Sequence, residues 1–261
     1  MELTVALGQM EIATGRPDLN MEAARDLTIR AADQGAHLLM LPELWPTGYD
    51  LDRAEAYAVS LGAGPFSFMA ELAKEFQVYL VGTALELNPD GRPFNTAALY
   101  GPDGGLAGVY RKAHLIPLMG EVEHMTPGGD LPVFDLPWGR TALAICYDLR
   151  FPEMWRVYVQ AGARLILIPS EWPVPRIGHW RLLLRARAVE NQLFVAGCNR
   201  AGAGADGEFG GHSAAIDPWG RVLVDGGAGP GLYVALLDLD EVTRMRQQLP
   251  FLEDRRADLY G

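Results

Sequence analysis

Thr141–Glu153, TALAICYDLRFPE, joins an apolar run to a cysteine that is followed at once by Tyr, Asp and Arg. The run predicts a buried strand, Thr141–Cys146, and Pro152 stands at a favourable first position for a helix. Cys146 then lies where the strand ends. Two interpretations are open at this point: Cys146 is a small apolar side chain in the core, or it is a nucleophile.

Apolar runs and helical periodicity alternate along the chain, with Gly and Pro between them. Further strands are predicted at Leu3–Gln9, Leu38–Leu41, Val78–Leu85, Thr96–Tyr100, Gly105–Arg111, Leu165–Ile168, Leu193–Cys198, Ser213–Ile216, Val222–Val224 and Leu232–Asp238. Helices are predicted at Asp18–Gln34, Pro65–Phe76, Pro152–Ala161, Ile177–Gln192 and Asp240–Gln248. This alternation predicts an α/β protein with large sheets covered by helices, in a single domain over residues 1–261.

Two details of this pattern bear on the surface. Within Ile177–Gln192, the residues Leu182, Ala186 and Val189, with Leu193 just beyond, have helical spacing and form one apolar stripe. The glycine-rich segment AGAGADGEFGG, residues 201–211, is predicted to be a mobile loop, since no strand-then-helix context supports a phosphate-binding role.

The composition excludes several classes of protein. The net charge of −11 argues against binding to nucleic acid or anionic membranes, and no apolar run approaches the roughly 20 residues of a membrane helix. The start of the chain carries no targeting pattern, so we expect a cytoplasmic protein. The two cysteines lie in apolar runs and predict reduced thiols, of which Cys198 is expected to be inert. The five histidines lack metal-ligand spacing, so no metal is expected.

Three predicted strands end in polar or reactive residues. Glu43 follows HLLML, Lys112 follows GLAGVY, and Cys146 follows TALAI. Ligands of α/β proteins usually bind beyond the carboxyl ends of strands, where such residues can converge. A carboxylate, an ammonium and a thiol suit acyl transfer, because the carboxylate can take the thiol proton. Lys112 and the backbone N–H of Tyr147 could then stabilise the oxyanion.

Each of these residues also has a purely structural interpretation. Cys146 alone could be a core residue, Lys112 beside Arg111 a solvated cation, and Glu43 after Pro42 a turn carboxylate. Spacing alone does not decide between these interpretations and a catalytic site.

The combination resembles the nitrilase superfamily of carbon–nitrogen hydrolases. The matching motifs are LPELWPTGY around Glu43, YRKAHL around Lys112, ICYDLRFPE around Cys146, HWRLLLRARAVENQ, GHSAAIDPWG and RRADLY. The resemblance implies a four-layer α-β-β-α sandwich, a triad of Glu43, Lys112 and Cys146, and no cofactor. It also implies a second glutamate, for which Glu121 is favoured over Glu123.

Within that superfamily, EWPVPRIGHW and ENQLFVAGCNRAG resemble the ω-amidases, which remove the terminal amide of 2-oxoglutaramate or 2-oxosuccinamate. CYDLRFPE and RRADLYG also resemble amidases that act on deaminated glutathione. The sequence is compatible as well with a carbamoyl-amide or nitrile hydrolase, and with a non-catalytic α/β binding protein. The resemblance further implies a homodimer or higher homo-oligomer.

A substrate with a far carboxylate requires a binding partner for it. Arg176 is the first candidate and Tyr49 the second, with Trp172 and His179 expected nearby. Arg150 is expected to have a structural role. Arg176 could equally face solvent at the start of a helix.

Overall fold

The computed structural model describes residues 1–260, and the elements follow one another in the order that the sequence predicts. The strands are β1 Glu2–Gln9, β2 Leu38–Met40, β3 Tyr79–Glu86, β4 Phe94–Tyr100, β5 Leu106–Arg111, β6 Val133–Leu136, β7 Gly139–Leu143, β8 Leu165–Ser170, β9 Phe194–Asn199, β10 Ala201–Gly204, β11 Gly207–Gly210, β12 Ala214–Ile216, β13 Val222–Asp225 and β14 Gly231–Asp238. The helices are α1 Pro17–Asp33, α2 Ala54–Tyr57, α3 Gly64–Phe76, α4 Glu121–His124, α5 Pro152–Gln160, α6 Ile177–Asn191, α7 Asp240–Gln248 and α8 Ala257–Tyr260.

The strands form two six-stranded sheets and one hairpin. The first sheet has the order β14-β1-β2-β3-β4-β5, the second has the order β13-β12-β9-β8-β7-β6, and β10 pairs with β11. Strands β1, β2 and β3 are parallel, and β5 runs with them because β4 is antiparallel to both of its neighbours. Strands β7, β8 and β9 are parallel in the second sheet. The carboxyl ends of several strands therefore share an edge in each sheet.

The side chains of each strand alternate between two apolar layers. In β1, Val5 and Leu7 belong to the core between the sheets, whereas Ala6 packs toward α1 and α3. On the far side of the second sheet, Trp155 of α5 and Trp180 of α6 are fully buried and belong to the apolar layer between these helices and the sheet. The result is the four-layer α-β-β-α sandwich that the family resemblance implies.

Two expectations about local structure were wrong, and four short segments were not predicted. Strand β7 ends at Leu143, and Cys146 lies in the following 3-10 turn, Cys146–Arg150, instead of closing the strand. Residues 201–210 form the β10–β11 hairpin instead of the predicted loop, and Asp206 in its turn pairs with Arg200. The short segments β6, α2, α4 and α8 were not predicted, since each is too short to show a period.

The apolar stripe of α6 faces solvent, although the apolar face of a helix usually packs against the core of its own chain. Leu182 is 66% exposed and Val189 is 41% exposed, whereas Trp180, Leu184 and Ala188 are buried. Trp180 lies over β9, where a Cβ at Gly197 would stand 2.7 Å from the indole ring, so only glycine allows this close approach. The packing of Trp180 thus determines which face of α6 meets the sheet.

Among the helices of residues 1–260, none is both long and apolar enough to cross a membrane.

Candidate active site

Glu43, Lys112 and Glu121 meet at the carboxyl edge of the first sheet. The Lys112 ammonium donates to Glu43 Oε1 at 2.7 Å and to Glu121 Oε1 at 2.5 Å, and all three side chains are fully buried. Glu43 follows β2, Lys112 follows β5, and Glu121 opens α4. Glu123 is exposed, which leaves Glu121 as the inward-facing member of that pair.

The Glu43 carboxylate is held by donors on both oxygens. Oε1 accepts from Asn95 Nδ2 at 2.8 Å as well as from Lys112, and Oε2 accepts from the backbone N–H of Glu171 at 3.1 Å. A carboxylate with this many fixed donors has one orientation, which a proton-transfer role requires.

Burial and the neighbouring charges shift the pKa values of both Glu121 and Lys112. Glu121 also accepts from the Tyr49 hydroxyl at 2.8 Å and from the Ile116 N–H at 2.8 Å. Burial raises the pKa of Glu121, and the Lys112 charge opposes this shift only in part. Burial lowers the pKa of Lys112, but the charges of Glu121 and Glu43 outweigh it and leave the pKa raised. The lysine is therefore a permanent cation at neutral pH.

Cys146 lies beside this group, in the turn that follows β7 of the second sheet. It is only 6% exposed, and its φ of 45° is in the left-handed region, which non-glycine residues rarely adopt. Burial raises the pKa of the Cys146 thiol, and the neighbouring Glu43 carboxylate raises it further, while Lys112 opposes both. The resting thiol thus keeps its proton and lies next to a carboxylate that can accept it.

Asp148, which sequence reasoning did not single out, fixes the turn that carries Cys146. Its Oδ2 accepts from the Ile145 N–H at 2.8 Å and from the Tyr110 hydroxyl at 2.7 Å. Its Oδ1 accepts from the backbone N–H and Nδ1 of His114, at 3.1 and 2.8 Å. The fully buried Asp148 therefore joins the turn to the segment that follows Lys112. An acidic residue two positions after the cysteine was the available signal.

A second group of side chains surrounds Arg150. Its guanidinium stacks over Trp172 at 4.5 Å from the ring centroid and lies 5.9 Å from that of Tyr147. Its Nη1 donates to His179 Nδ1 at 3.4 Å. Within residues 1–260, no carboxylate is within ion-pairing distance of Arg150, so this cation is held by aromatic rings and has no counter-ion there.

The structure separates the substrate-binding candidates. Trp172 and His179 contact Arg150, whereas Tyr49 belongs to the Glu121 group. Arg176 is half-buried at the start of α6, where its backbone N–H donates to the Pro173 carbonyl. In the described part of the chain, its side chain makes none of the hydrogen bonds or ion pairs that hold the other groups.

Comparisons with known proteins agree with this fold and this geometry. A family model described as carbon-nitrogen hydrolase matches residues 4–247. The chain is 40% identical over 260 residues to 2-oxoglutaramate amidase of Bacillus subtilis, with 100% of both chains covered. It is 35% identical over 266 residues to the omega-amidase NIT2 of Homo sapiens, covering 98% of this chain and 96% of that protein.

A solved structure extends the comparison to a reactive cysteine. A glutamate-to-glutamine mutant of the amidase from Nesterenkonia sp. AN1 superimposes with a TM-score of 0.85 at 30% identity, covering 95% of this chain and 98% of that one. That structure shows Michael addition of acrylamide at the active site cysteine of the Nesterenkonia enzyme. By its fold, its family match and its relatives, this chain belongs to the carbon-nitrogen hydrolase family, whose members act on carbon–nitrogen bonds.

Proposed function

We propose that this protein is an ω-amidase, which hydrolyses the terminal amide of a small carboxylate-bearing 2-oxo acid such as 2-oxoglutaramate or 2-oxosuccinamate. The observation that carries the proposal is the fully buried Lys112, which bridges Glu43 and Glu121 beside the Cys146 thiol. The full-length similarity to proteins named 2-oxoglutaramate amidase and omega-amidase supports the substrate class.

In the proposed reaction, Glu43 accepts the Cys146 proton and the thiolate attacks the amide carbon. Lys112 and the Tyr147 backbone N–H stabilise the oxyanion that forms. Protonated Glu43 then gives its proton to the leaving nitrogen, and ammonia departs as the C–N bond breaks. Glu43 next activates a water molecule, which hydrolyses the thioester on Cys146. Glu121 keeps the ammonium of Lys112 in place throughout.

We assign the far carboxylate of the substrate to Arg150 first, and keep Arg176 as a second candidate. Arg150 lies on the turn that begins with Cys146, and its guanidinium is stacked on Trp172 and free of carboxylates among residues 1–260. A bidentate contact with a substrate carboxylate would supply its missing counter-ion.

The matched variants Arg150→Gln and Arg176→Gln test this assignment. We expect Arg150→Gln to raise KM for 2-oxoglutaramate at least about tenfold, the scale of one lost charged hydrogen bond, and to leave a neutral amide nearly unaffected. Equal losses on the two amides would refute the carboxylate-binding role. A selective loss in Arg176→Gln alone would transfer the role to that residue.

The activity itself is tested by ammonia release from a panel of substrates. The panel contains 2-oxoglutaramate, 2-oxosuccinamate, deaminated glutathione, a carbamoyl amine, and a nitrile matched to one of the amides. We expect the 2-oxo acid amides to give the highest kcat/KM and Cys146→Ala to release no ammonia. Full activity in Cys146→Ala would refute the thiol mechanism, and no release from any compound would favour a binding protein.

We also propose that two copies pair through the outward face of α6. This face carries the exposed side chains of Leu182 and Val189, which together with Trp219 of the β12–β13 turn line a groove of about 550 Å³. Such a patch on a monomer usually marks an interface. The segment after α7 adds the exposed Leu249 and Leu259, which would cross toward the partner. Light scattering tests the pairing: Leu182→Glu is expected to yield monomers, and a monomeric wild type would refute it.

A further inference from the structure

A second buried charge cluster lies next to Glu43, on the side away from Lys112. It consists of Glu171, Arg200 and Asp206, which we call the clamp. Arg200 Nη1 is 2.8 Å from Glu171 Oε2 and 2.7 Å from Asp206 Oδ2, and the Glu171 and Arg200 side chains are fully buried. The Arg200 guanidinium also stacks over Phe209 of the hairpin at 4.0 Å. None of these residues has a part in the proposed amide hydrolysis.

The clamp joins segments that follow strands of both sheets. The Glu171 N–H donates to Glu43 Oε2, and the Arg200 N–H donates to the Ser170 carbonyl. Arg200 Nη2 donates to the Ile12 carbonyl after β1 at 2.8 Å. Glu43 and Ile12 follow strands of the first sheet, whereas Ser170 ends β8 and Arg200 follows β9 of the second. Arg200 is therefore a fixed link across the two sheets at the level of the reacting residues.

Asp206 extends the clamp to the tyrosine that supports Glu121. It lies in the turn of the β10–β11 hairpin and folds back onto Arg200. Its Oδ2 accepts from the backbone N–H of Tyr49 at 3.0 Å, and its Oδ1 accepts from the Thr14 hydroxyl at 2.8 Å. One side of the clamp thus contacts the Glu43 carboxylate and the other contacts the backbone of Tyr49.

We propose that Glu171, Arg200 and Asp206 are positioning residues for the acid–base half of the reaction: they hold Glu43 and Tyr49 in register with Cys146 across the two sheets. The proposal rests on the role given to Glu43 in the proposed function. It accounts for a buried polar cluster of a kind that apolar side chains of similar volume often replace without loss of stability.

The protonation state of Glu171 determines the charge next to Glu43. Glu171 faces Arg200, Asp206, Glu43 and Tyr49, and its Oε1 has no hydrogen-bond partner within the described residues. Burial raises the pKa of Glu171 to about 8, Arg200 opposes the shift, and Asp206 and Glu43 add to it. At neutral pH Glu171 is therefore mostly protonated, and Arg200 is balanced by Asp206. Above pH 8, a negative charge appears beside Glu43 and disfavours the ionised form of that carboxylate, so the activity of the wild type should change in this pH range.

The variants Glu171→Gln and Asp206→Asn test the clamp. Glu171→Gln cannot ionise, so the change of kcat that the wild type shows near pH 8 is expected to disappear. The ratio of kcat at pH 9 to kcat at pH 7 should differ from that of the wild type by at least about threefold. Asp206→Asn removes a negative charge that raises the pKa of Glu171, so the change of kcat should move to lower pH. It also loses an acceptor for Tyr49 or Thr14, and kcat at pH 7 should fall about tenfold or more.

Asp18→Asn, which removes an exposed carboxylate paired with Arg16, is the control and should keep the wild-type profile. A pH profile of Glu171→Gln that coincides with the wild type would overturn the proposal. A second result would also overturn it: both variants lose the same fraction of kcat at every pH, in proportion to the fall in their melting temperatures. A cluster with a purely structural role would behave in that way.

A substrate-free measurement separates this proposal from the proposed function. The rate of Cys146 alkylation by iodoacetamide, followed by peptide mass spectrometry, is expected to reach its midpoint at lower pH in Glu171→Gln than in the wild type. If the wild type releases no ammonia but this shift is observed, the proposed function fails and the clamp stands. An unshifted midpoint refutes the clamp, whatever the substrate.

Discussion

Replacing Asp148 with Asn is the sharpest test of how Cys146 is held in place. The four donors on Asp148 are the N–H of Ile145, the Tyr110 hydroxyl, and two N–H groups of His114. Asn keeps one acceptor oxygen and turns the other into an NH₂ group, so two of these buried donors then face a donor. An unsatisfied buried donor costs about 1–3 kcal/mol, so the free energy of unfolding should fall by about 2–6 kcal/mol. The Tyr110 hydroxyl can rotate away from the new NH₂ group, so we expect a loss in the lower half of that range.

The variant should also slow catalysis, because the Cys146 turn loses its link to the segment after Lys112. A displacement of about 1 Å at a reacting group can reduce the rate about 100-fold, and we expect a fall in kcat of that order. Urea unfolding and ammonia release measure the two effects. Asp135→Asn makes the same change at an 82% exposed carboxylate and should alter neither. Stability within about 0.5 kcal/mol of the wild type, the range of ordinary surface changes, together with full activity, would show that Asp148 does not hold the turn.

Three further predictions concern the buried charges. Lys112→Met leaves Glu43 and Glu121 without their cation, so unfolding free energy should fall by about 3–5 kcal/mol at pH 8. The loss should be smaller at pH 5 than at pH 8, because burial raises the pKa of Glu121 and removal of the Lys112 charge raises it further, so that protonation relieves the unpaired charge. An equal loss in urea melts at both pH values would contradict this. Glu43→Gln should reduce ammonia release at least about 100-fold. The pH midpoint of Cys146 alkylation should fall in this variant, because the Glu43 charge that raises the thiol pKa is gone; an upward shift would contradict this reasoning. Tyr49→Phe removes one hydrogen bond to the buried Glu121 carboxylate. It should lower kcat about tenfold, the effect of about 1.4 kcal/mol, and lower the unfolding free energy by about 1–3 kcal/mol; unchanged kcat would show that this bond is not needed for activity.

Local patterns in the sequence were sufficient for the order of the elements. Strand and helix periodicity depends on neighbours within a few residues, so the long helices and buried strands were predicted within a few positions. The same patterns placed Glu43 and Lys112 after strands, and the structure brings them together at the carboxyl edge of the first sheet. The outward stripe of α6 was not predictable, since helical spacing identifies a stripe but not the surface that it meets.

Only the tertiary structure decided the contacts between residues that are far apart in the chain. Asp148 meets the segment after Lys112, and Arg200 meets both Ile12 and Glu171, because the two sheets pack face to face. No local pattern encodes such a meeting. The sequence by itself determined the α/β order and the chemistry available at the strand exits, through short-range periodicity and residue type. The packing of the sheets decided which charges are paired, which thiol is buried beside a carboxylate, and which arginine is held by aromatic rings.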